Sequence, residues 1–289
     1  TLNLAGGSYP PLTISGKRGT ANAWITVTGP ASGAPAIIAG SSCCNTVEIV
    51  NSSFVAIKNL TIDSHSLDGV FGISAKDGLS NVTHDILIEG NTLVGQNGSQ
   101  QTNAISTKTP TWGWVIRNNT ITGAGTGMYL GDSNGSFPFV AGLIEHNLIQ
   151  NTIGYNMQIK WQQPRPIVAG MPTGQSTTIV RDNVFIKSDQ VSPDGDRLNV
   201  YLGGFPNSGA GSTDMYEVYG NFFYHNPRES LFQAEGRVSL HDNVFVDGFI
   251  AAAIFRTNDL PLKVAYAYHN TVYTKTLGIY LSSAATTDD

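Results

Sequence analysis

Between residues 142 and 160 the chain reads GLIEHNLIQNTIGYNMQIK, with apolar and polar positions alternating around Asn147 and again after Gly154. Alone the stretch is ambiguous, because Ile149, Ile153 and Met157 also fit a helical i, i+4 stripe. Recurrence decides. The segments ILIEGNTLVG, WVIRNNTITG, GLIEHNLIQN, TIVRDNVFIK, EVYGNFFYH, VSLHDNVFVD and AYHNTVYTK each place an asparagine two positions before an apolar residue. Those asparagines are Asn91, Asn119, Asn147, Asn183, Asn221, Asn243 and Asn270, separated by 28, 28, 36, 38, 22 and 27 residues. A second short element follows each time: FGISAK, NAISTK, GMYLGD, YNMQIK, NVYLGG, SLFQAE, AAIFRT and GIYLSS. This is the period of a solenoid with loop insertions.

The apolar runs are short, β-branched or aromatic, and bounded by Gly, Asn and Asp, which predicts strands. Like stacks on like, so the strands are expected to run parallel about 4.8 Å apart in an all-β parallel β-helix, a single domain over residues 1–289. Residues three before each asparagine (Ile88, Ile116, Ile144, Val180, Val218, Leu240, Ala267) are expected to point inward, as are Ile73, Ile105, Tyr129, Met157, Tyr201, Phe232, Ile254 and Tyr280. The asparagines read as a corner ladder, their amides bonding between coils in left-handed backbone geometry. Two positions before them, Lys58, Glu89, Arg117, Glu145 and Arg181 alternate in sign, a solvent-exposed ladder worth about 0.2–1 kcal/mol per pair.

Charged residues make up only 13% of the chain, fitting a turn-rich β-protein, and the net charge of −5 offers no reason to expect nucleic acid or an anionic membrane as partner. No run of about 20 apolar residues suggests a membrane span. Cys43 and Cys44 are adjacent and cannot staple distant segments. They read as small buried or half-buried residues, with a vicinal disulfide as the alternative. No HExxH, CxxC or phosphate-loop motif is present.

The opening run TLNLAGGSYPPLTISGKRGTANAWITVTG, together with the recurring coils, resembles secreted right-handed parallel β-helix proteins of the pectate-lyase-like superfamily, including alginate and chondroitin lyases. The resemblance spans nearly the whole chain. It implies a secreted or periplasmic, monomeric protein acting on a polysaccharide or oligosaccharide, and it permits a calcium cofactor, although no dense carboxylate cluster demands one. The family's lysine just after a coil asparagine, with an arginine further on, is absent, as is the DPHE-like motif of mannuronan epimerases.

Candidate chemistry gathers at the end of the second element. Aligned without gaps, its sixth position reads Lys76, Lys108, Asp132, Lys160, Gly204, Glu235, Thr257 and Ser283, and parity turns it outward beside Gln158 and Gln233. The longest insertions flank Lys160. WQQPRPIVAGMPTGQST follows it, while KSDQVSPDGDRL and FPNSGAGSTD bracket the next coil. Such loops are expected to wall a groove, with Lys160, Arg165, Arg197 and Glu235 as catalytic candidates and Lys108, Trp112, Asp132, Gln158, Trp161, Asn199 and Gln233 as substrate contacts. Indoles beside polar groups suit sugar rings.

Asp132 and Glu235 stand three coils apart, about 14 Å, too far for a glycosidase pair at roughly 5–9.5 Å. A hydrolase would recruit Asp194 or Asp196. A lyase acting on a uronic acid polymer needs a base, for which Lys160 is the candidate, and cations for the carboxylate, Arg165 and Arg197. A non-catalytic glycan-binding module is the third reading. His146, His241 and His269 sit at coil corners and read as local hydrogen-bonding residues.

Overall fold

The computed structural model describes residues 1–282. Three parallel sheets of 12, 10 and 10 strands wind around one core, each coil contributing a strand to each sheet. Among the described residues the one helical element is a 3-10 turn at Gly78–Ser80, and no helix is long and apolar enough to cross a membrane.

The first inward column stands as expected. Ile88, Ile116, Ile144, Val180, Val218 and Leu240 are fully buried and pair coil to coil. Ala267 registers with Leu240 but is exposed, because it belongs to the last described coil. The second sheet turns Ile121, Ile149, Phe185, Phe223 and Phe245 inward, the last three forming a stack with ring centroids 5.2 and 4.6 Å apart. Each such side chain contributes about 1.5–3 kcal/mol by leaving water.

The third sheet corrects the expected register. Met128 pairs with Met157, and Tyr129 with Gln158; Val200 and Phe232 continue the inward line, while Tyr201 and Gln233 continue the outward one. Tyr129, Tyr201, Ile254 and Tyr280 therefore face outward, not inward. Segments matched by length alone fall one residue out of register in these coils, and one residue reverses the face of a strand.

The corner ladder is continuous. Asn119 Nδ2 donates to Asn147 Oδ1 at 2.9 Å and to the Ile88 carbonyl at 2.9 Å, and the pattern repeats through Asn183, Asn221, Asn243 and Asn270. The left-handed residue, however, is the one before each asparagine: Gly90, Asn118, His146, Asp182, Gly220, Asp242 and His269. This explains the Gly, Asn, Asp or His found there, the types for which that geometry costs least.

The charge ladder also forms, but it is not uniformly solvent-exposed, since Glu145 is buried. Glu89 bridges Lys58 at 2.7 Å and Arg117 at 2.8 Å, and Arg181 meets Glu145 at 2.5 Å before lying over the Tyr219 ring. Cys43 and Cys44 are exposed free thiols, not buried residues.

Candidate functional site

The outward face of the third sheet lines up Ser106, Tyr129, Gln158, Tyr201, Gln233 and Ile254 in successive coils. Two residues further along, the same register aligns Lys108, Gly131, Lys160, Gly203, Glu235 and Arg256. Asp132 falls one step beyond this line, in a turn where its Oδ1 accepts from the Ser133 N–H at 2.9 Å.

A groove runs across this face. Its larger part, about 560 Å³, is lined by Tyr155, Gln158, Lys160, Arg197, Tyr201 and Gln233 among others. A second part of about 290 Å³ adds Gln100, Gln101, Thr126 and Tyr129, and the two share Tyr155, Gln158, Lys160 and Arg197. The wall is the loop following Ile186. Gln100 Nε2 donates to the Gly195 carbonyl at 2.8 Å, while the Asp194 N–H donates to Gln100 Oε1 at 2.9 Å. Beneath the loop, buried Lys187 donates to the Arg197 carbonyl at 3.0 Å, and Asn226 Nδ2 donates to the same oxygen at 2.9 Å. Burial pushes the Lys187 ammonium down to about 8.

Tyr155 stands at the middle of the groove, with the Arg197 guanidinium 5.9 Å from its ring centroid. Burial raises its phenol above the ordinary value of 10.0, so it keeps its proton. Tyr129, pushed up to about 12 mainly by burial, carries the Lys108 ammonium 4.9 Å from its ring centroid. Burial lowers Lys108, and nearby Asp132 works against that shift. Lys160 makes no ion pair among the described residues. Gln158 and Gln233 are 7% and 4% exposed, and their side-chain amides find no protein partner among the described residues.

Glu235 is fully buried behind the groove. Its carboxyl accepts the N–H groups of Asp259 and Leu260 at 3.2 and 2.9 Å, and the Tyr201 hydroxyl lies 2.5 Å from it and 2.9 Å from Asp259. A phenol has one proton to donate, so two carboxyl contacts require a second. Burial raises the Glu235 carboxyl above its ordinary range.

Several residues expected in the groove lie elsewhere. Arg165 is buried in an ion pair with Asp214 and donates to the Gly174 carbonyl at 3.0 Å, which occupies its guanidinium. Its loop folds over the first sheet, where Met171 packs with Trp112 and Val140, and does not wall the groove. Trp112 is 6% exposed and stacks on His84 at 4.5 Å, and Trp114 is in the core, so neither offers a sugar platform. The Trp161 ring lies against the turn at Gly135, where an added Cβ would stand 2.8 Å from it. Asn199 is buried at a corner, its Nδ2 donating to the Tyr224 carbonyl at 3.2 Å. Residues missed in the sequence are Tyr155, Tyr129, Tyr201, Arg256 and Lys187. Tyr129 and Tyr201 read from sequence as inward strand residues, and nothing in the sequence singles out Tyr155.

No family model matches the chain, and no curated protein does. Among solved structures, the chain is similar to an alginate lyase from Paenibacillus sp. str. FPU-7 at 16% identity, over 97% of this chain and 90% of that one, with a TM-score of 0.72. The likeness is one of fold. PfbA, a surface adhesin of Streptococcus pneumoniae, is similar at 9% identity over 98% of this chain and 85% of its own, with a TM-score of 0.52. One β-helix architecture thus carries both a lyase and an adhesin, and the choice for this chain turns on its own groove.

Proposed function

We propose that the protein is a polysaccharide lyase that cleaves a uronic-acid-containing glycan by β-elimination at Lys160. One observation carries this reading: the groove part around Tyr129 and Gln101 is lined by Lys160 and Arg197 and by no carboxylate, an arrangement that suits an anionic sugar. The alginate lyase of the same fold lends support.

Arg197 binds the uronate carboxylate and stabilises the charge that develops there when the C5 proton leaves. Lys160 takes that proton. The C5–H electron pair becomes the C4=C5 double bond, the C4–O4 bond breaks, and the Tyr155 hydroxyl protonates the departing O4. Gln158 orients the ring through its unpartnered amide. Glu235 and Tyr201 hold the adjoining turn and do not touch the reacting atoms.

Asp196 and Glu229 also line the groove, which keeps a glycoside hydrolase as the second reading. The two are separated by product chemistry, since elimination gives an unsaturated uronide absorbing in the ultraviolet and hydrolysis gives reducing ends alone. Reducing ends without absorbance would exclude the lyase. The resemblance to secreted lyases supports a secreted or periplasmic protein.

A further inference from the structure

The two parts of the groove differ in charge. Among the residues lining the part around Gln100, Thr126 and Tyr129, the charged ones are Lys160 and Arg197, with Lys108 over the Tyr129 ring and the Asp194 carboxylate on Gln101 at its edge. The other part keeps that pair and adds one cation, Arg256, against three carboxylates, Asp196, Glu229 and Asp259. Arg228 stands 3.8 Å from Asp196, and Glu229 makes no ion pair among the described residues. A second uronate placed there would meet like charge well within the screening length of about 8–10 Å.

Other features of that part fit an uncharged sugar. Leu198, Ile250, Ile254 and Leu277 give it apolar surface. Gln233, 4% exposed, lines it with an amide that has no protein partner among the described residues. That amide opens onto the groove and is free to bond a ligand there. A neutral or N-acetylated sugar supplies both an apolar face and hydroxyl or amide groups.

We propose that the groove takes a glycan in which a uronic acid at Lys160 and Arg197 is joined to an uncharged sugar lying over Gln233 and Ile254. The preferred substrate is then an alternating polymer and not a homopolyuronate. This rests on the groove being the glycan site, but not on the elimination chemistry.

The test separates binding from cleavage. Affinity electrophoresis of the full chain in gels containing unsulfated chondroitin or hyaluronan measures retardation, against gels containing polymannuronate or polygalacturonate. Ultraviolet absorbance on the same polymers reads elimination. The alternating polymers should retard the protein with an apparent Kd at least about tenfold lower. The Asp196→Asn/Glu229→Gln double variant should recover several-fold retardation on the homopolyuronates. That preference without absorbance supports the inference and sinks the lyase reading alone. Equal or stronger retardation by a homopolyuronate overturns the inference, as does absence of retardation by every polymer.

Discussion

At the scale of single residues, the direction of a side chain separates roles that look alike along the sequence. Arg165 and Arg197 both sit in long loops near Lys160, yet one guanidinium is enclosed with Asp214 and the other lines the groove. Arg165→Met should therefore lower stability by about 3–5 kcal/mol in denaturant unfolding, because Asp214 is left buried without its partner. Lys160→Ala should do the reverse, cutting turnover by about 10²–10⁴-fold with little change in Tm. A large stability loss with activity intact would remove Lys160 from the mechanism. Lys160, Gln158, Gln233 and Arg197 could be named from sequence because strand parity and loop length both point there. Trp112, Trp161 and Asn199 could not be excluded, since an indole or amide in a loop reads the same whether it packs or faces solvent.

At the scale of strands and corners, regular repetition made the first sheet and the asparagine ladder legible. The third sheet was harder to read, because its short segments alternate Ile-Ser, Met-Tyr and Phe-Gln with no anchor to fix the pairing. Tyr129 and Tyr201 were misplaced inward for that reason, and with them went the aromatic lining of the groove. Asn147→Ala should cost about 1–3 kcal/mol in thermal or chemical unfolding, since it leaves ladder partners unsatisfied on both neighbouring coils. An unchanged melting curve would contradict the ladder's structural role.

The same scale holds a pH-dependent latch. His225, next to last in the strand Phe222–Asn226, is 2.7 Å from Asp247 and 3.0 Å from Asp189 in the groove-wall loop. Burial alone would lower His225, but the two carboxylates outweigh it and raise the imidazole above 6.5. The hydrogen bond to His225 lowers Asp247 below 3.8. A raised histidine contributes stability that is full below about 6.5 and is lost as pH climbs through the folded value. A lowered aspartate contributes above about 3.8 and is lost as pH falls through its folded value. Melting temperature should therefore peak between about pH 4 and 6.5, and His225→Gln should flatten the alkaline side of that peak. An alkaline limb unchanged in the variant would argue against the latch.

At the scale of the whole molecule, stacking coils turns residues far apart in sequence into one surface. Gln100 and Asp194 meet across the groove, and no local motif announces that contact. The parallel β-helix was legible because every coil repeats the rule. The groove was legible only in part because its walls are the insertions that break the rule.

Elimination at Lys160 is tested most directly by ultraviolet absorbance on a panel of acidic and neutral glycans, run beside a reducing-end assay, with wild-type protein and Lys160→Ala. Absorbance should rise with reducing ends on a uronate-containing polymer, and both signals should vanish in the variant. Reducing ends without absorbance, or absorbance undiminished in Lys160→Ala, would contradict elimination at Lys160.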